Sequence, residues 1–213
     1  MDGKVGLGAD EIPASGYREL SFAGMDLAVL PEILSSGTRM EHLISLNLKE
    51  NKLWMLPSEV FLRVPNLECL RANSNKLGYL PETMGVLRKL RVLNLRSNCL
   101  QALPDALFRL TQLENLDLGC NSLEGLPASI RNLGRLKRLD VANNRIVEVP
   151  NEVTELPMLK HIDISGNPVQ RMPLTVQRMQ TKGELLRSKE KRRRLVERAL
   201  HVRTSVKNAY QSE

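Results

Sequence analysis

Three histidines, His42, His161 and His201, and three cysteines, Cys69, Cys99 and Cys120, are the side chains best suited to chemistry in this 213-residue chain. Nucleophilic catalysis requires a nucleophile, a base and an orienting group within hydrogen-bond reach of one another. His161 has Asp163 two residues on, but no Ser or Cys nucleophile is placed opposite it, and a surface histidine is the simpler reading. The cysteines lack the paired CxxC spacing of structural zinc sites, and an odd number without pairing argues against a disulfide framework. Gly3, Gly6 and Gly8 have the spacing of a phosphate-binding loop without the strand and helix such a loop requires. These residues predict no catalytic centre, no metal site and no cofactor. The cysteine usage predicts a reducing, intracellular setting, with the cytoplasm first and the nucleus as the alternative.

The elements that carry these residues are set by a repeat. LISLNLKENKL opens at Leu43, and the same pattern returns as LECLRANSNKL from Leu67, LRVLNLRSNCL from Leu90, LENLDLGCNSL from Leu113, LKRLDVANNRI from Leu136 and LKHIDISGNPV from Leu159. The asparagines fall at Asn51, Asn75, Asn98, Asn121, Asn144 and Asn167, one spacing of 24 and four of 23. Each copy continues to an apolar residue followed by Pro, at Pro57, Pro81, Pro104, Pro127, Pro150 and Pro173. An upstream copy keeps Leu20, Phe22, Leu27 and Pro31 in register, with Met25 where the asparagine would stand.

Self-similarity at this period marks a solenoid, in which each unit buries its apolar face only against its neighbours. Alternation in Leu46 and Leu48 predicts one short strand per copy, paired in parallel with the next. The connecting segment, such as residues 58–64, returns along the opposite face as short helix or irregular chain. The asparagine amide both donates and accepts, so it can satisfy backbone groups at the bend that have no strand partner.

The pattern LxxLxLxxNxL resembles the leucine-rich-repeat family over residues 17 to about 173. The 23-residue length and the apolar-Pro pair resemble its short intracellular class, which includes the Ras-group scaffold proteins and plant relatives. The resemblance implies an α/β fold: a right-handed solenoid with a curved parallel sheet on the concave face and short helices or irregular segments on the convex face, followed by a C-terminal helix. It also implies partner proteins bound on the concave face, and it transfers no individual contact residue. The expected organisation is a flexible segment over 1–16, a degenerate capping repeat over 17–39, six repeats over 40–173, and a helical cap with basic tail over 174–213.

On the outward strand positions the chain places Ser21, Asn47, Arg71, Asn94, Asp117, Asp140 and Asp163, and then Ala23, Lys49, Asn73, Arg96, Gly119, Ala142 and Ser165. Basic residues lie in the first half and acidic ones in the second. One reading is a bipolar binding face, with Lys49, Arg71 and Arg96 toward an acidic partner surface and the aspartates toward a basic one. The other is a set of charges that keep exposed strands soluble. Arg138 and His161 lie on the same face, one repeat apart. Trp54 and Tyr79 form either an interface hot spot or rings that cover the joint between repeats. Cys69 and Cys120 are two repeats apart, roughly 10 Å at strand spacing, too far to share a zinc ion.

The net charge of +7 is uneven. Residues 178–207 hold eleven Lys and Arg against three Glu, which leaves 20 basic and 21 acidic residues in the rest of the chain. In the tail, Leu195, Ala199, Val202 and Val206 share one helical stripe, and Leu185 and Leu186 are placed to cover the last repeat. The basic residues Lys189, Lys191, Arg192, Arg193, Arg194 and Arg198 have three readings: a solvated helix face, a nuclear-import-like signal, or contact with a phosphate backbone. The sequence thus predicts a non-catalytic adaptor or scaffold that takes no small-molecule substrate and does not insert into a membrane. The alternative is a structural subunit of a ribonucleoprotein or cytoskeletal assembly, with the tail on RNA or acidic protein. No secretory signal or membrane-length apolar stretch is visible.

Overall fold

The structure is a computed structural model and describes residues 18–35 and 39–179. Its strands are β1 (Glu19–Ser21), β2 (Ser45–Asn47), β3 (Cys69–Arg71), β4 (Val92–Asn94), β5 (Asn115–Asp117), β6 (Arg138–Asp140) and β7 (His161–Asp163). They form one sheet in chain order, every neighbour parallel. Leu20, Leu46, Leu70, Leu93, Leu116, Leu139 and Ile162 lie side by side in register, all buried. The repeat unit read from the leucines is therefore also the unit of strand pairing, and the upstream copy joins through β1. The expected parallel-sheet solenoid is the fold observed.

The opposite face carries short helices. They are α1 (Glu32–Ser35), α2 (Ser58–Arg63) and four 3-10 turns at Glu82–Val86, Asp105–Arg109, Ala128–Asn132 and Asn151–Glu155. Proline sets where all six of these begin, Pro31 included, whose carbonyl accepts the N–H of buried Leu34 at 2.9 Å. Pro57, Pro81, Pro104, Pro127 and Pro150 are extended, with φ between −61° and −76°, and each carbonyl accepts the N–H three residues on. A ring that fixes φ and offers no donor suits the first position of a turn. The residues that donate, Val60, Met84, Leu107, Ile130 and Val153, are the ones that enter the core. Pro173 precedes the helical residues 174–179, where its carbonyl accepts the Gln177 N–H four residues on, at 3.1 Å, and Val176 is buried.

The asparagines join the repeats. Asn98 Nδ2 donates to Leu95 O at 2.9 Å within its own repeat and to Ala72 O at 3.0 Å in the preceding one, while its Oδ1 accepts Leu77 N–H at 3.0 Å. Asn51, Asn75, Asn121, Asn144 and Asn167 repeat this geometry. Every such asparagine reaches backward along the array. At position 25 the chain has Met, whose N–H donates to Asn51 Oδ1 at 3.1 Å.

The residue before each asparagine takes a left-handed conformation, with Glu50, Ser74, Ser97, Cys120 and Asn143 all at φ between 55° and 57°. Only Gly24 and Gly166 relieve this at the two ends. The expected cap leucines, Leu185 and Leu186, and the rest of the predicted C-terminal helix lie outside the described residues.

Candidate functional site: the open face of the sheet

The outward side chain of each strand end has a structural duty. Asn47, Asn94, Asp117, Asp140 and Asp163 each accept the backbone N–H two residues on, at 3.0 to 3.3 Å. Such local bonds are characteristic of Asn and Asp at a bend. The aspartate row thus holds the chain where the strand ends. Asp163 is only 8% exposed and also accepts the Ser165 hydroxyl at 2.7 Å. Arg71 is the exception among β2 to β7: it has no acceptor to offer the turn, and it is exposed.

Arg96 points along the array. Its guanidinium lies 3.7 Å from Asp117 and 3.3 Å from Asp140, one and two repeats on. Gly119 makes the path: a Cβ there would collide with Arg96 Nη1. The basic and acidic halves expected from the sequence are therefore tied to one another at Arg96. Lys49 lies 3.5 Å from Glu50, and Asn73 is half-buried beside exposed Ser74.

Burial raises the Asp117 carboxyl above its ordinary value, the neighbouring Asp140 adds to this, and the Gly119 N–H and Arg96 oppose it. A folded value above the unfolded one favours the fold at low pH, and that contribution is lost as pH rises through the folded value. Asp117→Asn keeps the acceptor that Asn47 and Asn94 supply in their own repeats. It should therefore leave stability at neutral pH unchanged or raise it, and flatten the loss above the ordinary carboxylate range. Urea titrations from pH 4 to 8 would measure this, and a clear destabilisation at pH 7 would contradict it.

A second charged line runs beside the first, at the residues that precede the strands. Glu114 holds Arg91 Nη2 at 2.7 Å through Oε1 and Lys137 Nζ at 2.6 Å through Oε2. These two hydrogen bonds, the Lys137 one first, pull the Glu114 carboxyl below its usual range. Lys137, exposed Arg138, exposed Lys160 and exposed His161 continue the line over β6 and β7. In the second half of the sheet the division of charge therefore runs across the strands, basic where they begin and acidic where they end. Sequence reasoning named Arg138 and His161 but passed over Arg91, Glu114, Lys137 and Lys160. Their recurrence at 23-residue intervals was the available signal.

Trp54 and Tyr79 are 54% and 49% exposed on the edge between the asparagine ladder and the prolines. The Tyr79 hydroxyl sits 3.7 Å from Met55 Sδ. Val29, at the position equivalent to Met55 and Tyr79, is 67% exposed. The two aromatics thus belong to an apolar strip across the first three repeats. Cys69 and Cys120 are half-buried and Cys99 is exposed, all three as free thiols. Burial raises the Cys69 thiol, with Arg71 opposing. Among the described residues no His, Cys, Asp and Glu cluster could hold a metal ion, and no helix is long and apolar enough to cross a membrane. Lys189, Lys191, Arg192, Arg193, Arg194 and Arg198 lie outside the described residues.

Comparison with known proteins agrees with this architecture. A family model for the leucine rich repeat matches residues 88–146 and 111–169. A leucine-rich-repeat protein of Leptospira interrogans is 32% identical, with a TM-score of 0.55, over 71% of this chain and 43% of its own. The ectodomain of the Arabidopsis thaliana membrane receptor kinase GASSHO1/SCHENGEN3, in complex with CASPARIAN STRIP INTEGRITY FACTOR 2, is 29% identical, with a TM-score of 0.57, over 61% of this chain and 16% of its own. The chain thus spans less than half the length of either structure. No curated protein matches it. The fold is one typical of protein–protein interaction domains. With its seven-stranded parallel sheet, its asparagine ladder and these matches, the chain belongs to the leucine-rich-repeat family.

Proposed function

We propose that the protein is a non-catalytic adaptor that binds a partner protein on the open face of its sheet, within a reducing intracellular compartment. Arg71 carries this reading. At a position where five neighbouring repeats use Asn or Asp to hold the turn, the chain places a long exposed cation that cannot do so. A residue that forgoes a local bond on an exposed face fits a contact residue, and Arg is favoured among interface anchors. Lys49 flanks it on the preceding repeat, and the exposed Trp54 and Tyr79 lie along the edge of the same repeats. The plant receptor ectodomain similar to this chain is itself in complex with another molecule. The free thiols support the choice of compartment.

The test is affinity capture with the full chain. Charge reversal at Arg71 and Lys49 should abolish recovery of proteins retained by the unaltered chain, with the circular dichroism spectrum and melting temperature preserved. Arg96 is unsuitable for this purpose, since reversal there would set a third carboxylate beside Asp117 and Asp140. Unchanged recovery with the Arg71 and Lys49 reversals would remove the open face from the proposal.

A further inference from the structure

We infer that the strand-entry edge of β6 and β7 binds an acidic polypeptide segment, whose carboxylates dock among Lys137, Arg138, Lys160 and His161. This inference rests on the proposed partner-binding role of the open face and names the chemistry of the partner.

The fold already contains a carboxylate held in this manner. Glu114 stands between Arg91 and Lys137, the equivalent residues of the repeats on either side, with one oxygen on each. The position preceding the strands reads Glu68, Arg91, Glu114, Lys137 and Lys160. Sign alternates up to Lys137, and then a base follows a base. Where alternation predicts an acid, the chain supplies Lys160, with Arg138 and His161 paired in register beside it.

Backbone geometry brings these groups together. The N–H groups of Lys160 and His161 both donate to Lys137 O, at 2.9 and 3.1 Å, so the three residues turn around one carbonyl. Adjacent strands lie about 4.8 Å apart, and an extended peptide returns a side chain to one face every 6 to 7 Å or so, which lets successive carboxylates reach successive repeats. Apart from Glu114 on Lys137, no ion pair forms to these four residues among the described residues.

Charge also decides between occupants. The chain's own residues 178–207 carry eleven Lys and Arg against three Glu and would be repelled. Nucleic acid is disfavoured because no Phe, Tyr or Trp stands on the described outward positions of the sheet, where bases would stack. An acidic protein segment satisfies both observations.

The experiment uses the full chain and a fluorescein-labelled peptide of about ten residues with Glu at alternate positions, followed by anisotropy. The Gln counterpart and a single-stranded RNA of equal charge serve as comparisons. The acidic peptide should bind in a salt-dependent manner and the Gln peptide should not. Reversal at both Arg138→Glu and Lys160→Glu, on side chains exposed enough to leave the melting temperature unchanged, should weaken binding by about tenfold or more. Glu114→Gln frees Arg91 and Lys137 and should tighten it severalfold. Failure of the acidic peptide to bind, indifference to the double reversal, or loss of binding only on Arg192→Ala, Arg193→Ala and Arg194→Ala would overturn the inference. So would tighter, equally Arg138- and Lys160-dependent binding of the RNA. If a captured partner is lost with the Arg71 and Lys49 reversals but kept with Arg138→Glu and Lys160→Glu, the open-face reading stands and this inference falls.

Discussion

Asn98→Ala should lower the stability of the array by about 2 kcal/mol, although a single polar side chain is removed. The amide makes bonds on both of its functional groups. Truncation leaves Leu77 N–H without its partner and takes one of two amide donors from each of Ala72 O and Leu95 O, which Asn75 and Asn121 still serve, in a region where Asn98 itself is buried. A buried backbone group left without a partner costs about 1 to 3 kcal/mol. The orphaned Leu77 N–H and the weakened Ala72 O both belong to the preceding repeat, so the loss falls on the joint between units, the quantity that makes a solenoid cooperative. Asn167→Ala should be milder, since Asn167 is only part-buried. Urea unfolding followed by circular dichroism would measure both. Trp54 fluorescence, from the other side of the weakened joint, should separate from the dichroism transition in the Asn98 variant. Superimposable transitions with a loss below about 1 kcal/mol would refute the joint-sharing role of the ladder.

The ladder was legible because it is a spacing. Six asparagines 23 or 24 residues apart, each two residues after an outward position, leave little freedom in how a strand-forming segment must bend. The direction of the bridge was not legible. That each amide serves the repeat before it is a property of the folded array alone. The left-handed residues were equally hidden: Glu50, Ser74 and Ser97 are not types that announce a positive φ. Sequence reasoning finds such conformations through glycine, and here glycine marks only Gly24 and Gly166.

The charge pattern shows a different limit. Reading one outward column at a time separated basic from acidic halves and offered Arg96 beside Arg71 as a free cation. Length undoes that separation. An arginine side chain spans the distance to the next two repeats, and Gly119 leaves it a path, so Arg96 meets Asp117 and Asp140. Column patterns are reliable for apolar side chains that point into the core. They are weaker for long charged ones, whose partners are chosen across the face rather than along it.

Phe108→Ala should be the most damaging single truncation on the helical side, costing about 3 to 5 kcal/mol. Phe108 and Phe61 are the bulkiest fully buried side chains, and they occupy equivalent places, four residues after Pro104 and Pro57. The repeat between them has Gly85 at that place, where a Cβ would stand 3.0 Å from Ala106 Cβ. Large, small and large thus alternate, and the turns at Glu82–Val86 and Asp105–Arg109 approach too closely for either to move in and fill a vacated ring. The cost should appear as a fall in melting temperature of about 10 °C, at 2 to 4 °C per kcal/mol for a chain of this size. Phe108→Leu, which keeps most of the volume, should recover much of it. Trp54→Ala is the counterpart on the opposite account: it removes a larger ring from a half-exposed position and should leave the melting temperature within a few degrees. A Phe108→Ala variant that melts with the unaltered chain would mean that this side of the solenoid repacks freely. The close approach at Gly85 argues that it does not.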